Sequence, residues 1–354
     1  MSAQLLLPVD PPSEVEQLRR KLRAAWPAIA RARAGARQKA EVLREGLEGY
    51  VPPNSSFVIY GSLARGEFTR RSDLDWTLLV DGPADPVHHQ AEIAIAKRLA
   101  ELKFRSPGPA GTFGGLTFSH DLLHKIGGED DTNRNTTQRI LLLLESAPIG
   151  DRASHTGVVR NVLRRYIEED YLAPGESPFR VPRFLLNDVA RYWRTMAVDF
   201  AQKRRERAGR GWALRTVKLQ MSRKLMYTAG LLSCFSCRTE LEGLDTTRGV
   251  PRVVTHPEAL VRKTPLDIVA RTVLKYFGEI SGPARELFGA YDEFLALLND
   301  PRRRSHLEKL APGADADAGY QEARAMGQRF QEALTAMFFD TKPLSDLTRR
   351  YGVF

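Results

Sequence analysis

A Gly-Ser pair at Gly61-Ser62 and an Asp-x-Asp pair at Asp73 and Asp75 are the residues whose types and spacing point to chemistry. Glycine has no Cβ. A Gly-Ser turn that ends a strand and opens a helix therefore lets backbone N–H groups and a hydroxyl approach a phosphate, at a helix end that favours an anion. Aspartates two apart on a strand project from one face, and paired carboxylates suit hard cations such as Mg²⁺ or Mn²⁺. Two such ions about 3.5–4 Å apart would activate an attacking hydroxyl and stabilise a departing pyrophosphate. Gly61 and Gly66 also have P-loop spacing, but Glu67 stands where that loop requires Lys, which excludes it.

These residues need strands to carry them. Phe57 to Tyr60 is a β-branched and aromatic run that stops at Gly61, and Asp73 to Asp81 is a second strand candidate. In the second, Leu74, Trp76, Leu78 and Val80 share the face expected in a core, opposite Asp73, Asp75 and Thr77. Leu116 to Ile126 reads as a third strand. Helices are expected over 13–48, divided at Pro27, and over 86–104, where Val87, Ala91, Ile95 and Leu99 form an apolar stripe. The order helix, strand, helix, strand, helix, strand predicts an α/β (α+β) domain with a mixed sheet, complete by about residue 150. Beyond it the pattern is helical: 158–169, 182–202, 213–232, 265–277, 282–298 and 320–338. The expected division is a helical segment over 1–52, a site-bearing domain over 53–150 and a helical domain over 151–354.

The run Gly61-Ser62, ten residues, then Asp73-Leu74-Asp75, with strands on both sides, resembles the signature of the DNA polymerase β nucleotidyltransferase superfamily. Gly-Ser-x-Ala-Arg-Gly-Glu followed by Ser-Asp-Leu-Asp-Trp is similar to its bacterial minimal-nucleotidyltransferase-like branch. The match is specific over 57–81 and looser to about 150. The resemblance implies that Gly61 and Ser62 hold the nucleoside triphosphate, that Asp73 and Asp75 bind two divalent metals, and that a third carboxylate on a later strand completes the site. Asp121, on the third strand candidate, is the first choice for that carboxylate, as a metal ligand or base. Glu129, Asp130 and Asp131 are its rivals, or else a cap for the helix starting near Asn135.

Around the cradle, Arg65 and Ser72, with Arg70 and Arg71, are candidates to meet the triphosphate. Asn135 and Arg139 could support metal or nucleotide, but core or surface roles suit them better. His120 and His124 flank Asp121 at a spacing that invites a metal, though lining a pocket is the simpler reading. Cys234 and Cys237 form a lone Cys-x-x-Cys and read as buried structural cysteines.

The 354 residues carry 53 Lys and Arg against 43 Asp and Glu, a formal charge of +10 that points to a polyanionic partner. Nine basic residues and one Glu fall within 201–225, and Arg204, Arg205, Arg207, Arg210, Arg215 and Lys218 are the candidate nucleic-acid contacts. Trp193 and Trp212 flank this stripe as base-stacking or core aromatics. Two cysteines, no signal-like N-terminus and no long apolar run predict a cytoplasmic protein outside any membrane. The expected activity is Mg²⁺-dependent transfer of a nucleoside monophosphate from an NTP to an acceptor hydroxyl, most simply on RNA such as a tRNA end, with release of pyrophosphate. The alternatives are a protein acceptor in a toxin–antitoxin pair, a small-molecule or second-messenger synthase in phage defence or antibiotic modification, and a degenerate nucleotide or RNA sensor. Whether the chain forms an oligomer stays open.

Overall fold

Ser13 opens the first helix by accepting a hydrogen bond from Glu16 N, and Val15, Leu18 and Leu22 form the buried stripe of α1 (Glu14–Leu22). The chain turns at Arg23, in the left-handed region, and Pro27 opens α2 (Pro27–Gly46), where its missing N–H leaves nothing unsatisfied. No side chain of its own caps α2. Asp292, from a helix more than 250 residues away, accepts from Ile29 N at 2.8 Å instead. The computed structural model describes residues 12–108, 112–171, 181–206, 209–241, 249–342 and 344–352.

A four-stranded mixed sheet follows, in the order β3-β2-β1-β4. Strand β1 (Ser55–Tyr60) runs into the short helix α3 (Gly61–Ala64). It lies antiparallel to β2 (Asp75–Val80), with Tyr60 opposite Asp75 and Ser55 opposite Val80. Helix α4 (Pro86–Glu101) crosses over to β3 (Gly115–Phe118), which pairs parallel with β2 and places Phe118 beside Val80. Next come α5 (Ser119–Leu123), α6 (Asn133–Leu144) and the edge strand β4 (Ser146–Ile149), antiparallel to β1 with Ser146 opposite Tyr60.

Two expectations need correction here. The segment 116–126 is not one strand, because after Phe118 the contacts become helical: Asp121 pairs with Lys125, and the His120 and His124 rings stack at 4.7 Å, both at i, i+4 spacing. Strand β2 begins at Asp75 rather than Asp73, and neither of its faces is polar. Trp76 and Leu78 pack with Phe57, Ile59, Ile95 and Leu99, while Leu79 joins Val58 and Tyr60 in a second apolar cluster. Thr77, read as an outward residue, is buried with its hydroxyl 3.4 Å from the Tyr60 hydroxyl. Helices cover both faces, which erases the polar alternation an open sheet would show.

The remainder is helical: α7 (Ala153–Tyr171), α8 (Arg183–Glu206), α9 (Trp212–Lys218), a π-helical turn at Leu219–Arg223, α10 (Lys224–Leu241), α11 (Gly249–Val261), α12 (Pro265–Lys275), α13 (Phe277–Asn299), α14 (Pro301–Lys309), α15 (Ala318–Thr335), a second π turn at Ala336–Asp340 and α16 (Leu344–Tyr351). The main apolar cluster runs from Val15 to Leu347 and includes Val58, Tyr60 and Leu79. The sheet face they define is thus covered by the helical half. Among the described residues no helix is long and apolar enough to cross a membrane.

Candidate active site

Strand β1 ends where the chain needs a residue without a side chain. Gly61 has φ +65°, and a Cβ there would lie 2.7 Å from Asp75 Oδ2, so position 61 is restricted both by conformation and by the approach of a carboxylate. The antiparallel register that sets Tyr60 opposite Asp75 brings the cradle and the second aspartate to the same end of the sheet. Asp73, two residues earlier, is exposed in the loop entering β2. The turn at Thr69–Ser72 shapes that loop: Ser72 Oγ accepts from Thr69 N at 3.1 Å and lies 3.0 Å from Thr69 Oγ1. Arg304 of α14 clamps the same loop, donating to Thr69 Oγ1 and to the Arg71 carbonyl. Ser72, a candidate phosphate contact, is thereby occupied in holding the turn. Arg70 is exposed, and Arg71 pairs with Glu308.

The carboxylate beside Asp75 is one the motif does not include. Glu145 follows α6 and precedes Ser146, which pairs with Tyr60, so it reaches the sheet end occupied by Asp75. It is 3% exposed and ion-paired with Arg65 and with Arg223. Arg65, a candidate triphosphate contact, is buried and committed to Glu67 and Glu145, and Tyr291 of α13 donates to Glu67 at 2.8 Å. Burial, the Glu145 charge and Asp73 push Asp75 up to about 6 against the pull of Arg223 and Arg65. Such excess negative potential would be relieved by a cation.

The π turn aims two cations at the same place. Its i→i+5 bonding brings residues five apart to one side of the helix, which joins Lys218 and Arg223. Burial, then the charges of Arg304 and Arg223, push Lys218 down to about 8, while Asp73 pulls it the other way. Lys218 belongs to the basic stripe read from the sequence, but its neighbours place it in the site rather than on a solvated face. The rest of the stripe diverges. Arg205 and Arg210 are exposed, and Arg215 donates to the Gly211 and Arg210 carbonyls. The Arg204 side chain and Arg207 lie outside the described residues.

The third-carboxylate candidates are not at this end. Asp121 lies on α5, which follows Phe118 at the Val80 end of β2, about 17 Å along the strand from Asp75, and it pairs with Lys125. The expected strand position is lost because the chain turns helical at Ser119. Asp131 is buried in ion pairs with Arg139, whose guanidinium also reaches Asp188 and the Tyr166 hydroxyl. Glu129, Asp130 and Asp131 lie beyond the N-terminal end of α6, about 18 Å from its Glu145 end, and Thr132 caps that helix. Asn135 donates to the Asp130 carbonyl. Trp212 is core, its indole N–H bonded to the Ala311 carbonyl; Trp193 stacks on Tyr227 at 5.5 Å. Cys234 and Cys237 are buried and unbridged, as expected.

Among the described residues no group of three or more His, Cys, Asp or Glu surrounds a single point as a closed metal cage would. The donors at the sheet end still suit Mg²⁺, which is commonly held by one or two carboxylates with substrate phosphates and water completing its shell. Asp73 and Asp75 are the oxygen donors that would hold it.

The glycine requirement has a measurable consequence. Gly61→Ala will lose about 1–2 kcal/mol from the left-handed conformation. It will also displace the Asp75 carboxylate, which the new methyl would meet at 2.7 Å. Gly49→Ala, at φ +78° with open space around it, will show only the conformational loss in urea unfolding.

A search of curated proteins finds no match to the chain. A family model does match, over residues 40–106, and its description is nucleotidyltransferase domain. The matched stretch contains β1, the Gly61-Ser62 turn, the aspartate pair and α4, and stops before β3. Residues 40–106 of this chain are therefore a nucleotidyltransferase domain, consistent with the polymerase β-like superfamily and with the transfer of nucleoside monophosphates.

Proposed function

We propose that the chain is a metal-dependent nucleotidyltransferase that moves a nucleoside monophosphate from an NTP to a hydroxyl of RNA. The observation that carries this reading is the approach of Asp75 to Gly61 at the mouth of a Gly-Ser turn, inside the matched domain. The backbone of Gly61 and the Ser62 hydroxyl take the triphosphate. Lys218 and Arg223 face its leaving end and neutralise charge as pyrophosphate forms. Asp73 and Asp75 would hold a divalent ion, which would supply Lewis-acid polarisation of the phosphoryl group. Glu145, rather than Asp121, is the further carboxylate whose charge acts on Asp75; the Tyr60–Ser146 pairing brings it there, and Arg65 and Arg223 hold it. The acceptor oxygen bonds to the α-phosphorus, the bond from that phosphorus to the α,β-bridging oxygen breaks with its electron pair leaving on pyrophosphate, and the acceptor proton passes to solvent.

The RNA acceptor is supported by the chain's basic balance of +10 and by arginines that remain on the surface of the helical half. In this reading 53–150 holds the nucleotide and the metal, Lys218 and Arg223 reach that site from the helical half, and the rest of 151–354 holds the acceptor. The test is incubation with each labelled NTP and Mg²⁺, with total RNA, with total protein and with no acceptor. Label in RNA supports the reading. Label only in protein, or a product formed without acceptor, replaces RNA by a protein partner or by a small-molecule synthase.

The role of Lys218 has its own check. Lys218→Ala will raise KM for the NTP by about tenfold, the scale of one lost charge-assisted contact, while RNA affinity stays within twofold. A KM unchanged from wild type, read by initial rates across NTP concentrations, would remove Lys218 from the site.

A further inference from the structure

Helix α8 has two working sides. Tyr192 is buried and turned toward Arg223 and Glu145. The adjacent side lines an open cleft of about 710 Å³ whose other wall includes Tyr351 at the end of α16. Arg183, Asn187, Arg191, Arg194, Val198 and Gln202 recur along this side at intervals of three and four, a stripe about 28 Å long. Three arginines and the carboxylate of Asp199 line it, Arg191 also pairing with Asp131 at 3.7 Å, and the other polar groups are amides and hydroxyls. Arg191 is pre-oriented by the loop before α6, donating to Asn133 Oδ1 at 3.1 Å and to the Asp131 carbonyl at 2.7 Å. Arg194 is exposed.

We infer that this cleft is the seat of the RNA acceptor, which lies along α8 with its phosphates on the arginines. The inference rests on the reading of the chain as an RNA-directed nucleotidyltransferase, and it moves the contact surface from the exposed Arg205 and Arg210 to the cleft side of α8. Charge complementarity selects a polyanion. The length of the stripe exceeds what a mononucleotide can span. Guanidiniums at 183, 191 and 194, with the amides of Asn187 and Gln202 along the same side, suit a backbone of repeated charges carrying polar sugars and bases. Residue 192 turns toward the carboxylates while 191 and 194 turn into the cleft, so cleft and site lie on different sides of the one helix.

The experiment is fluorescence anisotropy of the full chain with an end-labelled, mixed-sequence single-stranded RNA, in EDTA and without NTP, across a salt series. Arg194→Glu will weaken binding by about tenfold and lower the slope of log K against log salt by about one. Val198→Lys, at a side chain 68% exposed, adds a cation to the cleft and will tighten binding several-fold, an effect no loss of folding can imitate. Arg205→Glu with Arg210→Glu will leave both quantities unchanged. If Arg194→Glu and Val198→Lys leave the affinity of an RNA-binding wild type unchanged, or only the Arg205/Arg210 pair alters it, the cleft is not the seat although the RNA reading stands. A wild type that binds no RNA yet labels a protein overturns the RNA reading itself, and the cleft assignment with it.

Discussion

Asp75→Asn is expected to abolish nucleotidyl transfer and, at the same time, to make the protein more stable. The activity loss should be about 10³-fold or greater, since the metal-assisted charge stabilisation proposed for this carboxylate is worth several kcal/mol and each 1.4 kcal/mol is a factor of ten. The gain in stability follows from the cost of holding this carboxylate ionised. Asp75 is partly buried, faces Glu145 and is pushed up to about 6 from an ordinary 3.8. Between those values the folded state binds the proton more tightly than the unfolded state. Wild-type stability therefore improves as pH falls from about 6 to about 4, and above 6 it bears the full penalty, roughly 1–3 kcal/mol. The Asn variant does not bear it. Its advantage in urea unfolding should be full at pH 7 and vanish near pH 4. Millimolar Mg²⁺ should stabilise the wild type more than the variant, because only the wild type offers both carboxylates. An Asn variant that keeps wild-type turnover would remove Asp75 from the chemistry.

The second large effect belongs to Arg65. Its guanidinium is 5% exposed and pairs with Glu67 and Glu145, each 3% exposed, while Tyr291 and Arg223 complete the network. Arg65→Met leaves Glu67 without a cationic partner and Glu145 with only Arg223. Removing one partner of a buried ion pair typically costs about 3–5 kcal/mol. That is about a fifth or more of the stability of an ordinary domain, and about 4–7 °C in Tm for a chain of this length. Adding Glu67→Gln to Arg65→Met should restore part of the loss, because the second substitution discharges one of the stranded carboxylates. Thermal unfolding of the two variants measures both. A loss below 1 kcal/mol in Arg65→Met would show that the network is not buried in solution.

The contrast between Asp75 and Glu145 shows what could be read from sequence. Gly61, Ser62, Asp73 and Asp75 were legible because one short segment supplies them and the residue types are unusual in combination. Glu145 was not, since it reaches Asp75 only through the pairing of Tyr60 with both Asp75 and Ser146, and β4 is four residues long with a proline in it. The available signal was a single Glu between the apolar run Ile140–Leu144 and that strand, at a position 3% exposed. Asp121 was misplaced because Leu116 to Ile126 carries enough apolar residues for a strand, whereas its i, i+4 partners favour a helix after Phe118. Lys218 was seen as charge but not as site, because only the π turn shows where it points. The long helices were legible from their periodicity, as α13 and α15 illustrate. α14, with Pro301 at its start and three arginines following, had no apolar stripe to reveal it.

The central claim is that the sheet end bearing Gly61 and Asp75 moves the α-phosphoryl group of an NTP. Parallel reactions with α-³²P- and γ-³²P-labelled NTPs, Mg²⁺ and total RNA, with Asp75→Asn alongside, measure this directly. The expected result is acid-insoluble label from the α-labelled nucleotide, pyrophosphate from the γ-labelled one, and neither from the variant. Label transferred from the γ position, or none from any of the four α-labelled nucleotides with RNA, protein or no acceptor present, would contradict it.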